Sequence, residues 1–149
     1  METQVLHIAS EKETEKLGER IGQAAVPGMV VALIGDLGTG KTTLTKSIAR
    51  GLGVTETVTS PTFNIIREYR SGRLPLFHFD VYRIGDPDEM FELGYEEYFY
   101  GDGVCVVEWA DIIEELLPED AMVIYIDRGE SDEEREYSIE GTAEDICIF

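Results

Sequence analysis

The chain has 149 residues, enough for one domain to bury a core and too few for two comfortable ones. Its 43% hydrophobic content with 15 glycines excludes a disordered tail, and its formal net charge of −19 excludes broad binding of nucleic acid by the bare chain. No run is apolar for long enough to span a bilayer, and METQVLHIASEKETEK lacks the basic-then-apolar order of a signal peptide, so the expected location is the cytoplasm, away from membranes.

Taken in chain order, Val5 to Ala9 reads as a short strand. Ser10, with Glu13 three residues on, predicts a capping box and a helix carrying Leu17, Ile21, Ala24 and Ala25 on one face, ended by Val26-Pro27-Gly28. Met29 to Ile34 is too uniformly apolar for a half-exposed strand and fits one buried on both faces, as in a parallel sheet. Thr42 to Leu52 predicts a helix stopped by Gly51 and Gly53. Phe63 to Tyr69 and Leu74 to Tyr82 flank the turn residues R-S-G-R and predict a hairpin. Short helical pieces are expected between Pro87 and Tyr100, where Y-E-E-Y-F-Y reads as an apolar face against the sheet. Val104 to Val107 is another fully apolar strand, followed by a short helix opening with Asp111 and Glu114 and stopped by Pro118. Met122 to Asp127 and Glu136 to Glu140 are the last predicted strands. With no repeat, linker or low-complexity block, the pattern predicts one α/β domain over residues 1–149.

Between the second strand and its helix lies G-D-L-G-T-G-K-T-T, of which Gly35 to Thr42 matches G-x-x-x-x-G-K-[ST]. Gly35, Gly38 and Gly40 open backbone conformations that let amide N–H groups point inward, and the helix start adds unpaired N–H groups and a positive dipole end. A nucleotide phosphate is therefore expected against Gly35, Asp36, Leu37, Gly38, Thr39, Gly40, Lys41, Thr42 and Thr43, with Lys41 on the β and γ oxygens and the Thr42 hydroxyl placed for Mg²⁺. The single asparagine, Asn64, carries no N-K-x-D element, and no dinucleotide fingerprint with a downstream acid is present. ATP is the nucleotide these absences favour.

Hydrolysis needs an acid near the metal, and two strand ends offer one: L-F-H-F-D, ending in Asp80, and V-C-V-V-E, ending in Glu108. One can hold Mg²⁺ and the other orient water, and the residues alone leave the assignment open. Trp109 reads as a core or edge anchor, and Arg67, Arg70, Arg73 and Arg83 as surface charges along the hairpin. His7, His78, Cys105 and Cys147 stand without partners at metal-ligand or disulfide-framework spacing and read as ordinary structural residues. Charge is unevenly spread: residues 1–83 hold 10 basic and 9 acidic side chains, residues 84–149 only 2 basic against 22 acidic. The basic groups gather where a phosphate can use them, and the acidic half reads as a solvated surface.

The glycine loop, S-P-T-F-N at 60–64, H-F-D-V-Y-R at 78–83 and V-E-W-A at 107–110, in that order, closely resemble the TsaE family over essentially the whole chain. The resemblance implies a P-loop NTPase-like fold, a mixed, largely parallel sheet flanked by helices with a β-hairpin extension. It implies a weak Mg²⁺-dependent ATPase required for threonylcarbamoyl-adenosine formation at position 37 of tRNAs reading codons that start with A. The family acts with TsaB and TsaD, resetting or driving that complex without performing the transfer, and meets tRNA only through it; alone, the chain is expected to be a monomer or weak oligomer. Carried over, Lys41 and Thr42 match the phosphate and Mg²⁺ positions, Glu108 a Mg²⁺-site acid and Asp80 an acid needed for activity. Ser60, Pro61 and Thr62 match a switch-like segment, Trp109 a position close to the nucleotide, Ser10 and Thr14 an approach to the adenine, and Arg135 the nucleotide edge. Thr39 stands where many members have alanine.

Two other functions share the loop. A small-molecule kinase usually closes an arginine-rich lid, and beyond Arg83 only Arg128 and Arg135 remain. A nucleotide-binding scaffold would need ATP for assembly without useful hydrolysis.

Overall fold

The computed structural model describes residues 2–36, 40–59, 61 and 65–149. Seven strands form one sheet in the order β1-β7-β6-β2-β5-β4-β3, with β1 Glu2–Ile8, β2 Val30–Ile34, β3 Ile66–Tyr69, β4 Leu76–Asp80, β5 Val104–Glu108, β6 Met122–Arg128 and β7 Arg135–Gly141. The helices are α1 Glu11–Ala24, α2 Lys41–Leu52, α3 Glu89–Glu92, α4 Tyr95–Phe99 and α5 Ala143–Ile146, with a 3₁₀ segment at Ala110–Leu116.

The sheet is mixed, and less parallel than expected. β2 pairs parallel with β5 and β6, and β4 with β5, whereas β1–β7, β6–β7 and β3–β4 are antiparallel. The reason is connection length. A parallel return needs a crossover of a dozen residues or so. Only residues 70–75 separate β3 from β4, and residues 129–134 separate β6 from β7, where Gly129 N–H donates to the Glu134 carbonyl at 2.8 Å. The predicted hairpin is thus continuous with the sheet, β3 forming its edge and β4 belonging to its parallel centre. Phe63 and Asn64 of that expected strand lie outside the described residues.

Strands β2 and β5 are buried on both faces, which is why they read as unbroken apolar runs. Val31, Leu33, Val104 and Val106 pack toward Leu17, Ile21, Leu44 and Ile48 of α1 and α2. Val30, Ala32, Cys105 and Val107 pack on the other face with Met90, Tyr95, Phe99 and Ile113. There Tyr95 and Phe99 stack edge to face at 5.2 Å, and Phe99 meets Phe79 at 5.3 Å, so Y-E-E-Y-F-Y does present an apolar face to the sheet. Burial drives the Cys105 thiol up to about 12, keeping it protonated and inert.

Helix α1 starts as read: the Ser10 side chain accepts from Glu13 N–H at 3.4 Å. The Glu13 carboxylate reaches Ala9 N–H at 2.6 Å, one residue earlier than a standard box. α1 and α2 touch through glycines, since a Cβ on Gly22 would collide with the Ile48 carbonyl and one on Gly51 with that of Glu19. Arg73 is no free surface charge; its guanidinium donates to the carbonyls of Gly22, Gln23 and Ala25 at 2.7, 2.9 and 2.8 Å, closing the end of α1. The 3₁₀ segment begins at Ala110, after Trp109 turns left-handed at φ 63°, so the backbone of Trp109 starts it in place of the expected Asp111 cap. Helix α5, unread in the sequence, is opened by a capping box in which Thr142 and Asp145 bond each other's backbone N–H.

Candidate functional site

Three parallel strands end side by side where α2 begins. The register sets Glu108 of β5 level with Leu33 of β2 on one side and Asp80 of β4 on the other. Because side chains alternate along a strand, His78, Asp80 and Glu108 all face α2, continuing the side of the sheet that Leu76, Val104 and Val106 fill lower down. A ligand crevice is expected at such a carboxyl edge.

The turn into α2 requires a glycine: Gly40 sits at φ 96°, a left-handed conformation that other residues rarely adopt, and its carbonyl accepts Leu44 N–H at 3.0 Å. Leu37, Gly38 and Thr39 of the expected cradle lie outside the described residues. Lys41 follows directly and is only 6% exposed. Its ammonium donates to the Gly35 carbonyl and, at 2.9 Å, to that of Asp36, while lying 3.8 Å from the centre of the Trp109 ring. Tyr82 backs that ring at 4.7 Å. Burial pulls the Lys41 pKa below its ordinary value, against the opposing pull of Glu108, Asp36, Asp80 and Asp111.

Thr42 comes next, and its hydroxyl donates to Glu108 Oε1 at 3.4 Å. Glu108 is 3% exposed, and its other oxygen, Oε2, bonds Nε2 of His78, a ring with no exposure at all. Asp80 is more open; its Oδ1 accepts Tyr82 N–H at 3.1 Å. Desolvation raises the Asp80 pKa above the usual carboxylate range, outweighing the Tyr82 bond that lowers it, with Glu108 adding to the rise. Lys41, Thr42, Asp80, Glu108 and Trp109 are therefore brought together. Thr43 stays on α2, where its carbonyl accepts Ser47 Oγ at 2.8 Å.

The remaining expected contacts are more scattered. Ile8 pairs with Arg135, and Arg135 with Arg128, so the start of α1 and the start of β7 sit at the same end of the sheet as the glycine loop. There Ser10 is committed to its cap, and Thr14 is buried with Tyr137 OH donating to its hydroxyl at 3.3 Å. Arg135 donates to the Asp132 and Glu134 carbonyls at 2.6 and 2.8 Å. Of the switch-like segment, Ser60 and Thr62 lie outside the described residues; just before it, Thr59 takes a hydrogen bond from Arg67. The residue the sequence reading missed is His78, whose partner is 30 positions away and visible only once β4 and β5 are in register.

The oxygens of Thr42 and Glu108 suit a hard cation. Among the described residues no group of three or more His, Cys, Asp or Glu is arranged to hold a metal. An ion held here would rely on few protein oxygens with phosphate and water completing its shell, which is the habit of Mg²⁺ and fits the residues present.

A family model described as Threonylcarbamoyl adenosine biosynthesis protein TsaE matches residues 8–137. The chain belongs to the TsaE family. Its TsaE relatives include the tRNA threonylcarbamoyladenosine biosynthesis protein TsaE of Bacillus subtilis, 54% identical over 125 residues that cover 84% of this chain and 77% of the relative. The protein of the same description from Treponema pallidum is 43% identical over 115 residues, covering 77% and 84% respectively. The crystal structure of Bacillus subtilis YdiB superposes with a TM-score of 0.83 at 42% identity, covering 99% of this chain and 91% of that one. The α/β sheet flanked by helices is thus the architecture of a solved relative. No helix among the described residues is long and apolar enough to cross a membrane.

Proposed function

We propose that this chain is a weak Mg²⁺-dependent ATPase, acting as a single domain in the cytoplasm, required for threonylcarbamoyl-adenosine formation at position 37 of tRNAs reading codons that start with A. It works with TsaB and TsaD, drives or resets their complex, and meets tRNA only through it. The observation that carries the ATPase reading is the convergence of a buried Lys41, the Thr42 hydroxyl and two strand-end carboxylates at the mouth of α2. The pathway rests on membership of the TsaE family.

In this reading the glycine loop and the first N–H groups of α2 bind the phosphates, and Lys41 exchanges its loop carbonyls for the β and γ oxygens of ATP. Thr42 and Glu108 would hold Mg²⁺. Bound there, the ion supplies neutralisation of the negative charge on the transferring phosphate. Asp80, the more open acid with the raised pKa, orients the attacking water and takes its proton as the water oxygen bonds the γ phosphorus and the bond to the β,γ bridging oxygen breaks. ADP and inorganic phosphate leave. Trp109 fixes the Lys41 ammonium through its ring face and so reports on the phosphate end of the site.

A reconstituted modification reaction with TsaB and TsaD tests this. Product is expected with the wild-type chain, and at background when the chain is omitted or carries Lys41→Ala or Glu108→Ala. Undiminished modification by both variants would sink the reading.

A further inference from the structure

Glu108 presents an uncommon arrangement. A carboxylate 3% exposed is costly to bury unless each oxygen finds a donor, and here the two oxygens find different ones. Oε1 takes the Thr42 hydroxyl at 3.4 Å and Oε2 takes the His78 ring. A carboxylate only accepts, so Nε2 of His78 carries the hydrogen of that bond. The ring's other nitrogen, Nδ1, is buried with no partner among the described residues. A ring serving merely to fill the core would have no reason to bury a polar nitrogen unmatched, and an apolar residue would fill the same space without that cost. What the ring gains is one bond, to one oxygen of one acid.

The strand geometry makes that bond directional. His78 and Asp80 are two residues apart on β4 and face the same side, and the register puts Asp80 beside Glu108 and His78 opposite Val106, one step down from Glu108. The ring therefore approaches the carboxylate from below, on the side away from the mouth of α2. Of the charged groups, Asp80 stands level with Glu108 in the register, and both Asp80 and Lys41 interact with it electrostatically.

We propose that His78 is a positioning residue for Glu108: by holding Oε2 it turns Oε1 toward Thr42 and keeps the carboxylate oriented to receive Mg²⁺. This rests on the reading of Glu108 as the Mg²⁺ acid. Neighbours that orient a metal ligand typically change metal affinity by about 10- to 100-fold when removed.

The test uses two amides of different reach. In His78→Gln the side-chain nitrogen is as many bonds from Cβ as Nε2 of the ring, so it can still donate to Oε2; in His78→Asn it falls short, at the position of Nδ1. ADP binding to the purified full-length chain is measured by calorimetry over a series of free Mg²⁺ concentrations and in EDTA. The half-saturating Mg²⁺ concentration is expected to rise about tenfold in His78→Asn and to stay close to wild type in His78→Gln. ADP affinity in EDTA should be the same in all three. Equal Mg²⁺ dependence in His78→Asn and wild type, or a loss of ADP affinity in EDTA matching that in Mg²⁺, would overturn the proposal. If His78→Asn does not fold, His78→Met, which fills the space without a donor, takes its place: a rise of about tenfold upholds the proposal and a wild-type Mg²⁺ dependence overturns it. Glu108→Gln is run alongside: unaltered Mg²⁺ dependence there removes Glu108 as the metal acid, a failure distinct from a shift in Glu108→Gln with none in His78→Asn.

Discussion

Glu108 and Glu136 are both strand glutamates, and the sheet treats them in opposite ways. Glu136 lies in β7 on the antiparallel flank, where alternate residues face solvent and the acid is simply exposed. Glu108 lies in β5 at the parallel centre, where helices cover both faces and every residue of the strand is buried. Its charge is met there by the Thr42 hydroxyl and the His78 ring, with the Lys41 ammonium nearby. Folding does not require this. Replacing a buried charged group with a packed apolar one is often neutral or stabilising, so a cluster that retains Lys41 at the start of α2 beside His78 and Asp80 of β4 and Glu108 of β5 is kept at a cost to stability, and that cost marks it as the proposed site of the chemistry. On the flank, by contrast, Tyr137 and Ile139 alternate with exposed Glu136 and half-buried Ser138 and pack into the core.

The contrast can be broken experimentally. The largest effect is expected for Lys41→Met, which keeps the stem and removes the ammonium: ATP turnover should fall by roughly 100- to 1,000-fold, while thermal melting at pH 7 shows no loss of stability. Since burial lowers the folded pKa of Lys41, the unfolded chain binds that proton more tightly, and the lysine's contribution to stability rises with pH between the lowered folded value and the ordinary one. Below the lowered folded value the charged lysine costs stability relative to its neutral form, and a melt of Lys41→Met well below wild type would contradict the expectation. Asp80→Asn comes next, with turnover reduced on the order of 100-fold. Its folded pKa is raised, so the native state holds the proton more tightly, and stability is lost as pH climbs from the ordinary carboxylate value through the raised one. Melting curves over that window should slope downward for wild type and be flatter for Asp80→Asn, with the variant the more stable at pH 7. On the flank the pattern reverses. Ile139→Ala, at a fully buried position, should cost about 2–5 kcal/mol in urea unfolding with turnover per folded molecule unchanged. Smallest of all, Glu136→Gln should move stability by no more than about 0.5 kcal/mol.

Much of this is legible in the sequence. The glycine loop, the buried strands before it and after it, Ser10 as a helix cap and the two acids at strand ends are local signals, each written within a few residues. The left-handed Gly40 is of the same kind. His78 was not legible, because its meaning depends on the alignment of β4 with β5 and on a carboxylate 30 residues on. Arg73 escaped for the same reason, its three carbonyls lying about fifty positions earlier in the chain. The proportion of parallel pairing was overestimated because uniform hydrophobicity reveals that a strand is buried but not which way its neighbours run. Short connections before β4 and β7 held that information. Helix α5 did carry a local signal, Thr142 with Asp145 three residues on, and a capping-box search at the end of the chain would have found it.

The cluster at the carboxyl edge of the parallel strands is proposed to hydrolyse ATP. Its most direct test is phosphate release from ATP in the presence of Mg²⁺, TsaB and TsaD, comparing the wild-type chain with Lys41→Met at equal concentrations of folded protein. We expect turnover that depends on both Mg²⁺ and this chain and is reduced to background in the variant; equal rates for the two proteins would contradict the account.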